Sequence, residues 1–180
     1  MCDAYSLAQR YKNTMRILKA NLNDSTEILK IFERCKEKLV IQRIYQWDDE
    51  YPNVQYINED INTGALYKGV VESRIAAVIS FDESQEKEYE MLNWRYTNGT
   101  SLIVHRLAVD PDFQGLRFSS ILMEYAENYA IENGFSSIRL DAYVGNKMVI
   151  DFYRRKGYRE AGEVYFPRRT LAFKCFEKSI

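Results

Sequence analysis

The 180-residue sequence predicts a mixed α/β fold, a central β-sheet flanked by helices, in one domain covering residues 1–180. Three observations carry this. Apolar residues switch repeatedly along the chain between the two-residue period of strands and the 3.6-residue period of helices. A branched, apolar run, SLIVHRLAV (101–109), is followed by a helical stretch and then a second strand, SIRLDA (137–142), which is the order of a parallel crossover. No repeat, low-complexity tract or Gly/Ser-rich linker interrupts the chain, and its length suits one hydrophobic core.

The elements follow in order. The first dozen residues are polar and read as a frayed end or a short surface helix. MRILKA (15–20) is a first strand. Asp24 stands three residues before Glu27, a capping-box spacing, and Ile28, Ile31, Phe32, Cys35 and Leu39 continue at helical intervals. An aromatic and acidic stretch, QWDDEYPNVQYINEDINTG, separates this helix from two strands. These are LYKGVV (66–71) and RIAAVISF (74–81), joined through Glu72-Ser73 as a hairpin. Residues 82–100 are polar and carry Asn98-Gly99, a long loop. After strand 101–109 comes Asp110-Pro111, and from Phe118 the residues Ile121, Leu122, Tyr125, Ala126 and Tyr129 mark one helix face, ending at Gly134. GNKMVIDFYRRKG (145–157) is a helix capped by Asn146 and stopped by Gly157. YREAGE and TLAFKCFE are closing strands.

Composition narrows the function. Net charge is −1, with no basic footprint for nucleic acid. The N-terminus lacks a signal-peptide apolar core and no run reaches membrane-spanning length, so the expected setting is cytoplasmic, with no membrane partner. Three widely spaced cysteines, Cys2, Cys35 and Cys175, make neither a disulfide framework nor a zinc site, and no metal is expected.

Residues 110–122, DPDFQGLRFSSIL, turn from strand into helix. Unpaired N–H groups and the helix dipole favour an anion at such a junction, although any strand–turn–helix creates the same geometry. A phosphate cradle and a plain turn are equally open on this feature alone.

The stretch from His105 to Tyr158 carries more. LAVDPDFQGLRFSSILM, then NKMVIDFYRRKGYR, resembles the GNAT superfamily of acyl-CoA-dependent N-acetyltransferases in motif order and separation. That family shows a Leu-Ala-Val-like strand end, a Gly-containing loop opening a helix, and later Asn, Phe-Tyr and Gly-Phe/Tyr. One departure stands out: the loop keeps Gly115 but has Arg117 and Ser119 where the family has glycines. Ser119 is small; Arg117 must turn its side chain outward, as a phosphate contact or as a solvated helix-start residue.

The resemblance implies a splayed central sheet and acetyl-CoA as co-substrate. It implies direct acetyl transfer to a primary amine on a small molecule or peptide, and leaves room for a homodimer. It places an oxyanion donor at the Leu107 N–H and a pantetheine partner at Val109. The backbone of Gln114, Gly115, Leu116, Arg117, Phe118 and Ser119 would take the pyrophosphate, and Asn146 would contact the pantetheine or phosphate arm besides capping its helix. Tyr153, the tyrosine of Phe-Tyr, would protonate the leaving sulfur.

His105, the sole histidine, shares a strand face with Leu107 and is read either as proton acceptor or as a core histidine satisfied by hydrogen bonds. In QWDDEYP, Trp47 and Tyr51 would wall an acceptor site and Asp48, Asp49 or Glu50 attract a cationic amine; the alternative is a solvated acidic loop with anchoring aromatics. Two other functions compete with the enzyme: a non-catalytic GNAT-fold acyl-CoA-binding module, and an α/β protein that binds no CoA.

Overall fold

A computed structural model describes residues 15–180; the polar first dozen residues, and Cys2 with them, lie outside the described residues. Its strands are β1 (Arg16–Lys19), β2 (Leu66–Val71), β3 (Arg74–Asp82), β4 (Ser101–Val109), β5 (Ser137–Tyr143), β6 (Arg159–Val164) and β7 (Phe173–Ser179). Its helices are α1 (Ser25–Ile41), α2 (Val54–Thr63), α3 (Phe118–Glu132) and α4 (Lys147–Arg155). They form a mixed seven-stranded sheet in the order β1-β2-β3-β4-β5-β7-β6 with helices, the α/β class expected. Contacts group the chain into two compact units: residues up to Ser80 with Arg106–Tyr125, and Phe81–His105 with Ala126–Ile180.

In the first unit, α1 lays Ile28, Ile31, Phe32 and Cys35 against Ile57, Ile61, Leu66, Ile75, Val78 and Ala108. Each Ile, Leu, Val or Phe of this set contributes about 1.5–3 kcal/mol on leaving water. The β2–β3 hairpin turns on Glu72 and Ser73, both at positive φ (47° and 67°). Positive φ at both central residues matches the twist of the flanking strands, and here it is held without the usual Asn-Gly pair.

Two expectations change. The Asp24–Glu27 capping box does not form. Asn21 caps a preceding 3-10 turn, leaving Asp24 in a helical conformation (φ −83°, ψ −15°) from which its side chain makes no cap bond to α1. Asp24 instead pairs with Lys68 at 2.6 Å and accepts from the Asn21 N–H, while Glu27 accepts from the Ile75 N–H at 3.0 Å. The second change is α2, inside a stretch read only as aromatic and acidic. Asn53 caps it through the N–H groups of Gln55 and Tyr56, and Gly64 ends it in the left-handed region.

In the second unit β5 is buried along nearly its whole length, with Asp141 alone half-buried, because β4 and β7 flank it. β4 and β5 run parallel through four rungs, Ser101↔Ser137 to Val104↔Leu140. β7 pairs antiparallel with both β5 and β6, placing Leu140 opposite Phe176 and Asp141 opposite Cys175. The loop 82–100 contains a 3-10 turn, Lys87–Met91, and is tied to β5 by side chains. Arg139 lies 4.4 Å over the Trp94 ring and donates to the Tyr96 carbonyl and to Gln85.

Candidate active site

In the first unit, β4 ends at Val109 and a short 3-10 turn, Pro111–Phe113, leads into the junction. The Asp110 carboxylate accepts from the Asp112 N–H at 2.9 Å and fixes that turn. Gly115 has φ 83° and Arg117 φ 65°, whereas Gln114 has φ −65° and Leu116 is not among the positive-φ residues. Gln114 is extended (ψ 149°), so the curl of the loop rests on the two positive-φ positions, Gly115 and Arg117, just before α3. Arg117 therefore occupies a conformation that glycine adopts freely, which is why glycine is at home there. Its side chain is exposed, as expected for an outward-pointing arginine. A Cβ placed on Gly115 would meet nothing within 4 Å. Phe118, in contrast, is 1% exposed and packs on Phe113, so only its backbone remains for a ligand.

Val109 and Gln114 are already engaged. The Val109 carbonyl accepts from the Cys35 thiol at 3.2 Å and the Gln114 amide at 3.0 Å. Burial pushes the Cys35 thiol up to about 12, so it is a packing residue and not a nucleophile. Leu107 is half-buried, as is His105.

The residues of the QWDDEYP loop are held by contacts of their own within the first unit. Trp47 packs edge-on against Phe32 at 5.2 Å. The Asp48 carboxylate accepts from the N–H groups of Glu50 and Tyr51, and Asp49 pairs with Lys36 at 2.6 Å. Tyr51 joins a cluster that sequence reading missed: the Arg106 guanidinium lies 5.1 Å over Tyr51 and 5.3 Å over Tyr56, and is ion-paired to Asp60. Arg106 follows His105 in an apolar strand. Only the fold reveals that Asp60, 46 residues away, neutralises it.

The second unit gathers the titratable groups. Tyr153, on α4, is 5% exposed, with its ring against Phe152, Tyr158 and Phe176. Burial, reinforced by the Asp141 charge, pushes its phenol well above the usual tyrosine range. Asn146 is 2% exposed and accepts from the Val149 N–H at 3.3 Å, the cap that was expected. The His105 Nε2 lies 2.9 Å from Asp82 Oδ1. Burial raises Asp82, but hydrogen bonds from His105 and from the Ser84 N–H outweigh it and hold the carboxyl below the usual range.

Asp141 was also missed. It sits in an apolar strand, and the Tyr89 hydroxyl donates to its Oδ2 at 2.7 Å. Burial pushes Asp141 up to about 6; Tyr89 pulls it back, Glu86 adds to the rise, and His105 opposes it. A folded-state value above the unfolded one (about 4) means the fold prefers the protonated acid. Stability should then fall as pH rises from about 4 to about 6, and remain lowered above. Asp141→Asn removes that charge and can still accept from Tyr89. Its melting temperature should exceed wild type by more at pH 7.5 than at pH 4.5; an equal difference at both values would exclude a strained charge at this position.

The family comparison agrees with the motif reading. The model of the Acetyltransferase (GNAT) family matches residues 26–158, and the chain belongs to that family of acetyl-CoA-dependent acetyltransferases. Among curated proteins, an uncharacterized N-acetyltransferase of Methanocaldococcus jannaschii is 39% identical over 57 residues. That segment is 32% of this chain and only 25% of the relative's length. Among solved structures, a GNAT-family acetyltransferase from Streptococcus agalactiae superposes with TM-score 0.77 at 21% identity, covering 92% of this chain and 95% of that one. A Thermoplasma acidophilum PaiA N-acetyltransferase, solved in complex with coenzyme A, gives 0.69 at 14% identity, covering 93% and 99%. At these identities the likeness establishes the fold. Among the described residues, no helix is long and apolar enough to cross a membrane.

Proposed function

We propose that this chain, acting as one catalytic domain, moves an acetyl group from acetyl-CoA directly to a primary amine on a small molecule or peptide. The observation that carries the reading is the 114–118 loop, which curls through positive φ at Gly115 and Arg117 into the N-terminus of α3 within a GNAT chain. Its N–H groups, with those of Leu116 to Ser119 opening α3, receive the pyrophosphate. The amine nitrogen bonds to the thioester carbon, and the negative oxygen that develops is stabilised by the Leu107 N–H. The intermediate then collapses, the C–S bond breaks, and the sulfur leaves hydrogen-bonded to Tyr153. The Val109 N–H pairs with pantetheine, its carbonyl being engaged within the protein.

The amine must lose a proton before or during attack. His105, held by Asp82, is the proposed acceptor, and Asp141 is the rival within the same unit. His105→Gln should flatten any rise of kcat/KM with pH that belongs to the proton acceptor and slow transfer, with acetyl-CoA affinity kept. If the limb survives and follows the pKa of each acceptor amine in a series, the enzyme merely selects free amine and His105 is structural. A limb lost in Asp141→Asn but not in His105→Gln assigns the role to Asp141.

Thermal shift with acetyl-CoA, followed by free-thiol release across an amine panel, tests the whole reading. Stabilisation without thiol release for any amine would favour a binding module; no stabilisation would exclude CoA binding.

A further inference from the structure

One face of α1 grips the junction. Arg34 and Lys38, at positions i and i+4 of the helix, both reach it, and Cys35 between them bonds the Val109 carbonyl just before it. Arg34 Nη1 donates to both oxygens of Asp110, at 2.9 and 2.8 Å, and Nη2 donates to Asp112 at 2.7 Å. The other Asp112 oxygen accepts from Arg74 at 2.9 Å, and Arg74 lies 4.8 Å over the Phe113 ring. Lys38 donates to the Gln114 side-chain oxygen at 2.5 Å. Behind these contacts the Asp110 N–H donates to the Ala76 carbonyl at 2.9 Å, pinning the loop to β3.

The burial of these groups differs. The Asp110 side chain is only 6% exposed, whereas Arg34 and Asp112 are 40% and 50% exposed. A buried carboxylate that loses its cation keeps its desolvation cost, so Asp110 depends on Arg34 far more than a surface pair would. The two arginines and two aspartates cancel one another, and Lys38, on Gln114, is the one cation of the grip outside that balance. The clasp of arginines and aspartates offers no net attraction to a phosphate, and what it supplies is geometry. Every segment it fixes lies immediately before the residues at positive φ.

We propose that Arg34 is a positioning residue for cofactor binding. Through Asp110 and Asp112 it holds residues 110–119 in the curled form whose N–H groups meet the pyrophosphate. This rests on the acetyl-CoA reading above. Arg34 touches neither cofactor nor acceptor in this scheme; it sets the shape of the backbone that does.

The test compares acetyl-CoA with acetyl-pantetheine, which lacks the pyrophosphate. Arg34→Gln should raise the Kd and KM for acetyl-CoA roughly tenfold, with kcat at saturation within about twofold and the KM for acetyl-pantetheine little changed. Arg34→Lys, which keeps the charge but loses the fork, should fall between. Arg34→Gln alone leaves an uncompensated negative charge beside the loop, so the charge-balanced pair Arg34→Gln/Asp112→Asn separates shape from electrostatics. It should remain weakened. Wild-type affinity in that pair, or equal losses for both thioesters, would overturn the proposal. If Arg34 variants do not fold, the more exposed Arg74→Gln carries the same comparison with a smaller expected loss, and a purely thermal effect there counts against the clasp. Wild-type protein that binds no acetyl-CoA overturns the underlying reading, a result seen before any variant is made.

Discussion

Tyr153→Phe should slow acetyl transfer by roughly ten- to a thousandfold while acetyl-CoA affinity stays near wild type. The substitution removes one hydroxyl and keeps the ring that packs on Tyr158 and Phe176, so the fold has no reason to change. The environment refines the role. A phenol pushed well above its usual range stays protonated at any working pH, but it is a weaker acid than a thiol, whose ordinary value is about 8.5. In the proposed scheme Tyr153 would therefore serve the leaving sulfur chiefly as a hydrogen-bond donor, with the thiolate taking its final proton from water or buffer. Single-turnover rates at saturating acetyl-CoA give the measurement, and wild-type turnover in Tyr153→Phe would exclude the role.

Gly115→Val should abolish measurable acetyl-CoA binding with the fold retained. Nothing lies within 4 Å of a Cβ at this position, so the free protein has room for the added atoms. Two effects then act against binding. At φ 83° a β-branched residue is strained by about 1–3 kcal/mol, which the exposed loop can relieve by uncurling. If it does not uncurl, the new methyl groups stand where the pyrophosphate is expected to approach. Calorimetric titration of the folded variant decides the matter; unchanged affinity would move the pyrophosphate elsewhere.

Local signals in the chain foretold the fold well. SLIVHRLAV has the branched, apolar content of an interior strand, and the structure keeps its bounds at Ser101 and Val109. Helix α1 was visible because four core contacts recur at helical spacing. Helix α2 was not, because it buries only Ile57 and Ile61 and otherwise reads as polar. Asn53 before it and Gly64 after it were the available clues.

The site was legible where it is local. The Gly115 junction and the Asn146 cap are both contained in short stretches of sequence. Pairs between elements far apart in sequence were not: Asp82 with His105 spans 23 positions, Tyr89 with Asp141 spans 52, and Arg34 with Asp110 spans 76. No spacing rule links such residues before the strands are ordered. Arg117 shows the converse. In sequence it was a departure from the family pattern, and its torsion explains what the replaced glycine had been supplying.

The position of β7 between β5 and β6 also bears on how the second unit assembles. The β6–β7 ladder closes across a short connection, from Val164 to Phe173, whereas joining β7 to β5 must close a loop from Tyr143 to Phe173 that contains α4 and all of β6. Longer loops cost more entropy to close, so local pairing comes first. On loop length alone β6 and β7 are expected to pair first as a hairpin, and their joint docking onto β5 is the longer closure that buries Phe176 and covers Asp141.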